Sequence, residues 1–255
     1  MLGDITIVIP TFHRRGYLRD CLAGIRENLP ECDVIVVSDD GVIPQTANEI
    51  YLPYDSGLTA KRNAGVAQVQ TRYTLIGSDD FDFSTDEARE GIIKMEKALS
   101  SSEVNMGYEI DVVAGRVNDR CYEGTLEYVP GEYIKEHRRP LGDLPFRLLP
   151  FKLWKVDIAA NYFLARTSIL RAVPWDESIV KIGGEHVDFF LDLKAAKIVV
   201  AFLQEANINQ MEYDASKQDP RYKAFRQRAL TTGHALMMKK RGIKKYFGFD
   251  EEVKL

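Results

Sequence analysis

The chain has 255 residues, 45% of them hydrophobic and 28% charged, with a formal net charge of −4. These proportions exclude a disordered chain, and no apolar run approaches the roughly 18 residues that a membrane span needs. Residues 1–10 carry Asp4 and no basic start, which argues against a secretion signal; Cys21, Cys32 and Cys121 lack CxxC spacing, which argues against a disulfide framework or a structural zinc site, so the expectation is a soluble, cytoplasmic protein.

In chain order, residues 4–10 (DITIVIP) are an apolar, β-branched run closed by proline, the pattern of a buried strand. Residues 14–29 place Tyr17, Leu18, Cys21, Leu22 and Ile25 at helical spacing before Pro30. Residues 33–37 predict a second buried strand, closed by Asp39-Asp40-Gly41, and residues 49–52 a short third one. A helix over 56–70, a strand over 73–76 closed by Gly77-Ser78-Asp79-Asp80, and a helix over 84–99 capped by Ser84 or Thr85 follow. Strands alternating with helices imply a parallel sheet covered on both faces.

The middle of the chain reads differently. Residues 112–116 and 121–129 predict a hairpin, 131–155 an irregular region, 161–172 a helix, 184–194 a helix opened by a Gly-Gly pair, and 198–203 a last buried strand. Asp219-Pro220 opens a final helix that has Tyr222, Phe225, Ala229 and Leu236 on one face and ends at Gly242. From 217 to 245 there are ten Lys/Arg and one acid, Asp219, a local charge of +9 set against −13 elsewhere. The expected organisation is an α/β domain over 1–203 with a basic helical appendage over 204–255, whose charge suits either an acidic body or an anionic partner.

Ligands of open parallel sheets bind beyond the carboxyl ends of the strands. Two of those ends carry paired acids, Asp39-Asp40 and Asp79-Asp80, with Asp82 close behind, and no GxGxxG or GxxxxGK[ST] motif follows any strand. Carboxylates so placed hold a divalent cation or accept hydrogen bonds from a ribose or a base.

Five segments in this order resemble glycosyltransferase family 2 enzymes of the GT-A fold: ITIVIPTFHR (5–14), VIVVSDDG (34–41), SGLTAKRNAGV (56–66), YTLIGSDDFDF (73–83) and KIGGEHVDFFLDLK (181–194). The resemblance implies a Rossmann-like, mostly parallel sheet, a UDP-sugar donor and Mn2+ or Mg2+. It implies that Pro10, Thr11 and Phe12 line the uridine pocket with Arg14 nearby, that Asp39 binds uracil, and that Arg62, more than Lys61, faces base or diphosphate. Asp79 would bind ribose or sugar, and Asp80 the metal, with Asp82 as a further metal candidate. Ser78 stands where many members carry an acid, and Asn209 is the candidate replacement for a late metal-binding histidine. Arg226 would close over the diphosphate. The catalytic-base motif falls on Glu185, His186 and Asp188, any of which could serve.

The implied reaction is inverting transfer to an acceptor hydroxyl. Two acceptors are compatible: a glycan or lipid-linked glycan, or a hydroxymethylated base in DNA. The second would use the basic tail, Arg138, Arg139 and Arg147, with Tyr122, Tyr128, Tyr133, Phe146, Phe151 and Trp154 holding an exposed base. The alternatives are a nucleotidyltransferase acting on a sugar phosphate and an inactive binding module.

Overall fold

The structure is a computed structural model that describes residues 2–42, 48–105, 109–118, 123–138, 142–143, 152–249 and 252–254. Its elements run β1 (Ile5–Thr11), α1 (Arg15–Asn28), β2 (Asp33–Ser38), β3 (Glu49–Tyr51), α2 (Leu58–Gln68), β4 (Tyr73–Ile76), β5 (Phe81–Asp82) and α3 (Asp86–Asn105). They continue with β6 (Val112–Val117), β7 (Thr125–Val129), β8 (Tyr133–His137), β9 (Gly142–Asp143), β10 (Leu153–Val156), β11 (Phe163–Arg166), α4 (Thr167–Ala172) and α5 (Glu185–Ala195). The last are β12 (Val200–Gln210), α6 (Arg221–Arg241), β13 (Lys245–Phe247) and β14 (Glu252–Lys254).

Among the described residues the main sheet has the order β3-β2-β1-β4-β11-β6-β12-β10-β9, with β5 paired to β12. The half built from β1 to β4 is parallel, as the alternating elements predict. The other half is mixed: β11 is antiparallel to both β4 and β6, while β12 runs parallel to β6. Period-two alternation divides the core. Ile5, Ile7 and Ile9 of β1 join Leu18, Leu22 and Ile25 of α1 and Ile92 and Met95 of α3 on one face. Val8 points to the other face, among Val66 of α2 and Phe189 and Phe190 of α5. A second sheet of order β14-β13-β8-β7 packs into this second core through Leu126, Ile134 and Tyr246.

Four expectations change. Residues 112–116 do not pair with 121–129, because β6 sits between β11 and β12 while β7 pairs with β8. All four residues 112–115 are buried, as a central strand requires, whereas β7, at a sheet edge, buries only Leu126. The expected helix over 161–172 is a strand followed by a helix, β11 and α4; four consecutive buried residues, FLAR, carry no period that separates the two states. The irregular stretch 131–155 contains β8, β9 and β10. The last strand does not stop at 203: β12 runs to Gln210.

Three of the C-terminal cations meet acids of the fold. Lys217 pairs with Asp20 at 2.9 Å, Lys240 with Asp176 and Asp188 at 2.7 Å each, and Arg241 with Asp188 at 2.6 Å and Asp192 at 2.7 Å. No described helix is long and apolar enough to cross a membrane.

Candidate active site

The carboxyl ends of β1, β2 and β4 open into one cleft of about 920 Å³, closed by the N-terminal ends of α5 and α6. Pro10, Thr11, Phe12, Arg14, Asp39, Arg62, Asp79, Asp80, Glu185, His186 and Arg226 all line it, so the structure brings together most of the residues the sequence singles out. Asp40 does not: its carboxylate binds Arg15 at 2.9 and 3.0 Å and caps the backbone of His13 and Val42.

Asp39 is buried at the end of β2. One of its oxygens meets Lys61 Nζ at 2.5 Å and the other accepts the Gly57 N–H at 3.0 Å. Lys61 also donates to the Thr11 carbonyl at 3.1 Å and lies 5.1 Å from the centre of the Phe12 ring. Burial pushes the Asp39 carboxyl up against the pull of Lys61, and pushes the Lys61 ammonium down against that of Asp39. Gly57 is required here. Its φ is +97°, and an added Cβ would stand 2.4 Å from the Val180 carbonyl oxygen.

At the end of β4, Arg14 bridges two carboxylates. Its Nη1 donates to Asp79 Oδ1 and its Nη2 to Asp80 Oδ2, each at 2.8 Å. Thr11 Oγ1 donates to Asp79 Oδ2 at 2.7 Å, Ser78 Oγ to Asp80 Oδ1 at 2.6 Å, and Gln210 Nε2 to Asp80 Oδ2 at 3.2 Å. The guanidinium carbon of Arg14 lies 4.7 Å from the ring centre of Tyr17 and 5.2 Å from that of Tyr222. Burial raises Asp79 to about 6, against the opposing charge of Arg14. Arg62, 3% exposed, sits over Trp175 with its Nε and Nη1 lacking any hydrogen-bond partner among the described residues, and burial lowers it to about 10.

Residues 6–101 match the family model Glycosyl transferase family 2. Beta-1,4 N-acetylgalactosaminyltransferase 1 of Mus musculus is 31% identical over 200 residues, 74% of this chain and 35% of the relative. Beta-1,4 N-acetylgalactosaminyltransferase 2 of the same species is 32% identical over 203 residues, 74% of this chain and 36% of the relative. Among solved structures, GalNAc-T7 with UDP, GalNAc and Mn2+ has a TM-score of 0.58 at 10% identity, over 85% of this chain and 45% of that one. S. aureus TarS has a TM-score of 0.53 at 14% identity, over 82% and 36%. The chain is similar to family 2 glycosyltransferases and has a GT-A-type fold. It spans about a third of the length of the curated relatives it matches.

In this family 2-like domain the three candidate bases part company. Glu185, the first residue of α5, lines the cleft, and its Oε2 accepts the N–H groups of Gly183 at 2.7 Å and Gly184 at 3.1 Å. His186 also lines the cleft, but its Nε2 faces the Ala159 carbonyl oxygen at 2.6 Å and its Nδ1 faces the Asn161 side-chain amide at 2.8 Å. Both ring nitrogens face oxygens, since the Asn161 atom is Oδ1, and a neutral ring donates from Nε2 to the nearer one, that of Ala159. Burial, reinforced by the charge of Arg62, lowers His186 to about 3. Asp188 is not in the cleft; it is 1% exposed and faces α6, where Lys240 and Arg241 hold both its oxygens. One helical turn separates it from Glu185, whose side chain curls back over the helix start instead of sharing that face.

The His186 environment predicts an acid-linked loss of stability. Between the ordinary value of 6.5 and about 3, the unfolded chain binds a proton at this position that the folded chain does not. The stability contributed by the neutral ring is therefore complete above pH 6.5 and is lost as pH falls towards 3. Melts of wild type and His186→Gln across that range should converge as the acid limb is approached; parallel curves would show the ring protonates freely.

The set Asp80, Asp82 and Asn209, expected to hold Mn2+ or Mg2+, does not converge. Asp82 Oδ1 accepts from the Ser84 backbone at 3.0 Å and hydroxyl at 2.6 Å, an Asx turn at the start of α3, and neither it nor Asn209 lines the cleft. Asn209 pairs with Asp82 on the β12–β5 ladder, while the next residue, Gln210, reaches the cleft because successive strand residues point to opposite faces. Asn118 holds Gln210 in place, receiving its backbone N–H at 2.6 Å and donating to its Oε1 at 3.0 Å, which leaves Nε2 for Asp80. Every oxygen of Asp79 and Asp80 thus carries a donor, and no group of three or more His, Cys, Asp or Glu among the described residues is placed to hold a metal. The residues present do not fit a divalent ion as they stand.

Lys61, Gln210, Tyr222 and Phe225 are cleft residues that the sequence leaves weak or unassigned. Gln210 is the residue next to Asn209, and Tyr222 and Phe225 lie on the face that the sequence assigns to packing in the last helix. For the nucleic-acid residues, Trp154 packs on Phe202 with ring centres 5.9 Å apart, Tyr128 donates to the Arg241 carbonyl, and Tyr133 donates to Glu127. Tyr122, Arg139, Phe146, Arg147 and Phe151 lie outside the described residues.

Proposed function

We propose that the domain transfers a sugar from a UDP-sugar to a hydroxyl of a glycan acceptor with inversion at the anomeric carbon, UDP-N-acetylgalactosamine being the first donor to test. One observation carries the reading: Asp39, Asp79, Asp80, Arg14, Arg62 and Glu185, drawn from five separate sequence segments, face a single cleft at the carboxyl ends of the strands. Two N-acetylgalactosaminyltransferases at 31% and 32% identity support the choice of sugar.

The chemistry follows from the charges. Burying a guanidinium without an acceptor is costly, so Arg62, with two nitrogens unpaired among the described residues, favours an incoming ligand rich in oxygen and negative charge. A UDP diphosphate has that character, and Arg14, Arg62 and Arg226 all line the cleft that would take it. Glu185 Oε2 is fixed by two backbone N–H groups, which leaves Oε1 to take the acceptor proton. As the acceptor oxygen bonds to the anomeric carbon, the bond from that carbon to the diphosphate oxygen breaks, its electron pair leaves with UDP, and the proton passes to Glu185. The guanidinium groups face the charge that grows on the leaving oxygen. His186 takes no proton in this scheme, because its neutral ring is committed to Ala159 and Asn161.

Incubation with UDP-N-acetylgalactosamine and a panel of glycans should release UDP and yield a glycan longer by one residue. Pyrophosphate release from a nucleoside triphosphate and a sugar phosphate would mark a nucleotidyltransferase instead. UDP binding without turnover on any acceptor would mark a binding module.

A further inference from the structure

The cleft contains a fixed cation where the implied chemistry places a mobile one. We infer that Arg14 takes the position of a divalent ion between the strand-end carboxylates and the donor diphosphate, so that nucleotide binding and transfer by this chain do not depend on divalent metal. The inference rests on the donor reading above and goes beyond it by assigning the source of positive charge.

Three observations lead there. The first is valence. A divalent cation needs several free oxygen ligands, and Mg2+ an almost octahedral set. The two carboxylates at the end of β4 have each oxygen engaged: Asp79 by Arg14 and Thr11, Asp80 by Arg14, Ser78 and Gln210. Two of those partners, Ser78 and Gln210, are neutral hydrogen-bond donors aimed at Asp80, and a donor that has turned its N–H or O–H to a carboxylate repels a cation from the same place. The neighbouring polar residues therefore complete a guanidinium site and do not extend a metal site.

The second observation is immobilisation. Arg14 lies at the start of α1, its guanidinium packed between the Tyr17 and Tyr222 rings, its side chain 12% exposed. Displacing it in favour of a metal would break both 2.8 Å ion pairs and leave a buried guanidinium without a counter-charge. A cation held this firmly is pre-organised to meet a diphosphate without rearrangement.

The third is a remaining donor. Arg14 Nε is buried and has no hydrogen-bond partner among the described residues, although both terminal nitrogens are used. A buried N–H left over from a saturated ion-pair cluster calls for a ligand oxygen. Arg226 lines the same wall of the cleft, beside Tyr222, and supplies a second charge to a diphosphate there.

The test is UDP binding by calorimetry to the whole chain, once in EDTA and once with Mn2+, alongside Mn2+ electron paramagnetic resonance on the same samples. The expected result is a UDP dissociation constant that changes by less than about twofold between the two conditions, with the resonance remaining that of free Mn2+. Arg14→Lys, which keeps a charge but cannot bridge both carboxylates, should weaken UDP binding in EDTA by about tenfold or more. Arg14→Ala frees Asp79 and Asp80 and should bind Mn2+ together with UDP where the wild type does not. Tightening of wild-type UDP binding by about tenfold or more with Mn2+, or stoichiometric loss of the free-ion signal, would overturn the inference and leave the donor reading standing. Failure of the wild type to bind UDP in either condition would overturn both. The wild-type arms decide the matter even if Arg14→Ala does not fold.

Discussion

Glu185→Gln should lower kcat by about two to four orders of magnitude while UDP affinity stays within about twofold of the wild type. The amide oxygen of glutamine can still accept the Gly183 and Gly184 N–H groups that Glu185 Oε2 accepts at 2.7 and 3.1 Å, so the start of α5 should keep its shape. What is lost is an atom able to take the acceptor proton. The informative comparison is His186→Gln, one residue along. The imidazole is kept neutral by burial, and its Nε2–H is committed to the Ala159 carbonyl, so its removal should change kcat by less than about threefold. Steady-state rates of the two variants at neutral pH, with isothermal UDP binding, make the measurement. A large loss in His186→Gln beside a small one in Glu185→Gln would reverse the assignment of the base.

The parts of this site that can be read from the sequence are those governed by one strand and its end. β1 and β2 are apolar runs because a parallel strand is covered on both faces, and the residues that follow such a run lie at the mouth of the sheet. That logic alone places Asp39, Asp79 and Asp80 in one cleft, where the structure has them, and also Asp40, which the structure turns to Arg15 instead. The illegible parts depend on register or distant pairing. Asn209 and Gln210 are adjacent amides, and only the ladder to β5 decides which one faces Asp80. The sheet of β7 and β8 is completed by β13 and β14, more than a hundred residues later in the chain, a pairing no local pattern announces. Arg14 is legible as a cleft residue but its role is not. A basic residue near two acids suggests screening, and only side-chain coordinates show it bound to one oxygen of each.

The same division explains why Asp188→Asn should cost stability and spare catalysis. Asp188 is 1% exposed, with Arg241 Nε at 2.6 Å from one oxygen and Lys240 Nζ at 2.7 Å from the other. Removing one member of a buried ion pair costs about 3–5 kcal/mol, because the remaining charge is left uncompensated. Here the low end applies, since Arg241 keeps Asp192 at 2.7 Å and Lys240 keeps Asp176 at 2.7 Å. A loss of about 3 kcal/mol corresponds to a drop in melting temperature of roughly 6–12 °C for a chain of this size. At a temperature where the variant remains folded, its kcat should match the wild type within about twofold, because no atom of Asp188 borders the cleft. Melting curves and steady-state rates on the same preparation separate the two effects. An unchanged melting temperature with a large loss of kcat would return Asp188 to the chemistry. Glu185 and Asp188 are acids of one helix, a turn apart: the first stands where backbone N–H groups and the cleft meet, the second where two cations of α6 anchor that helix against the domain. A carboxylate's surroundings, and not its place in a motif, decide whether it can give up its charge to a proton during turnover.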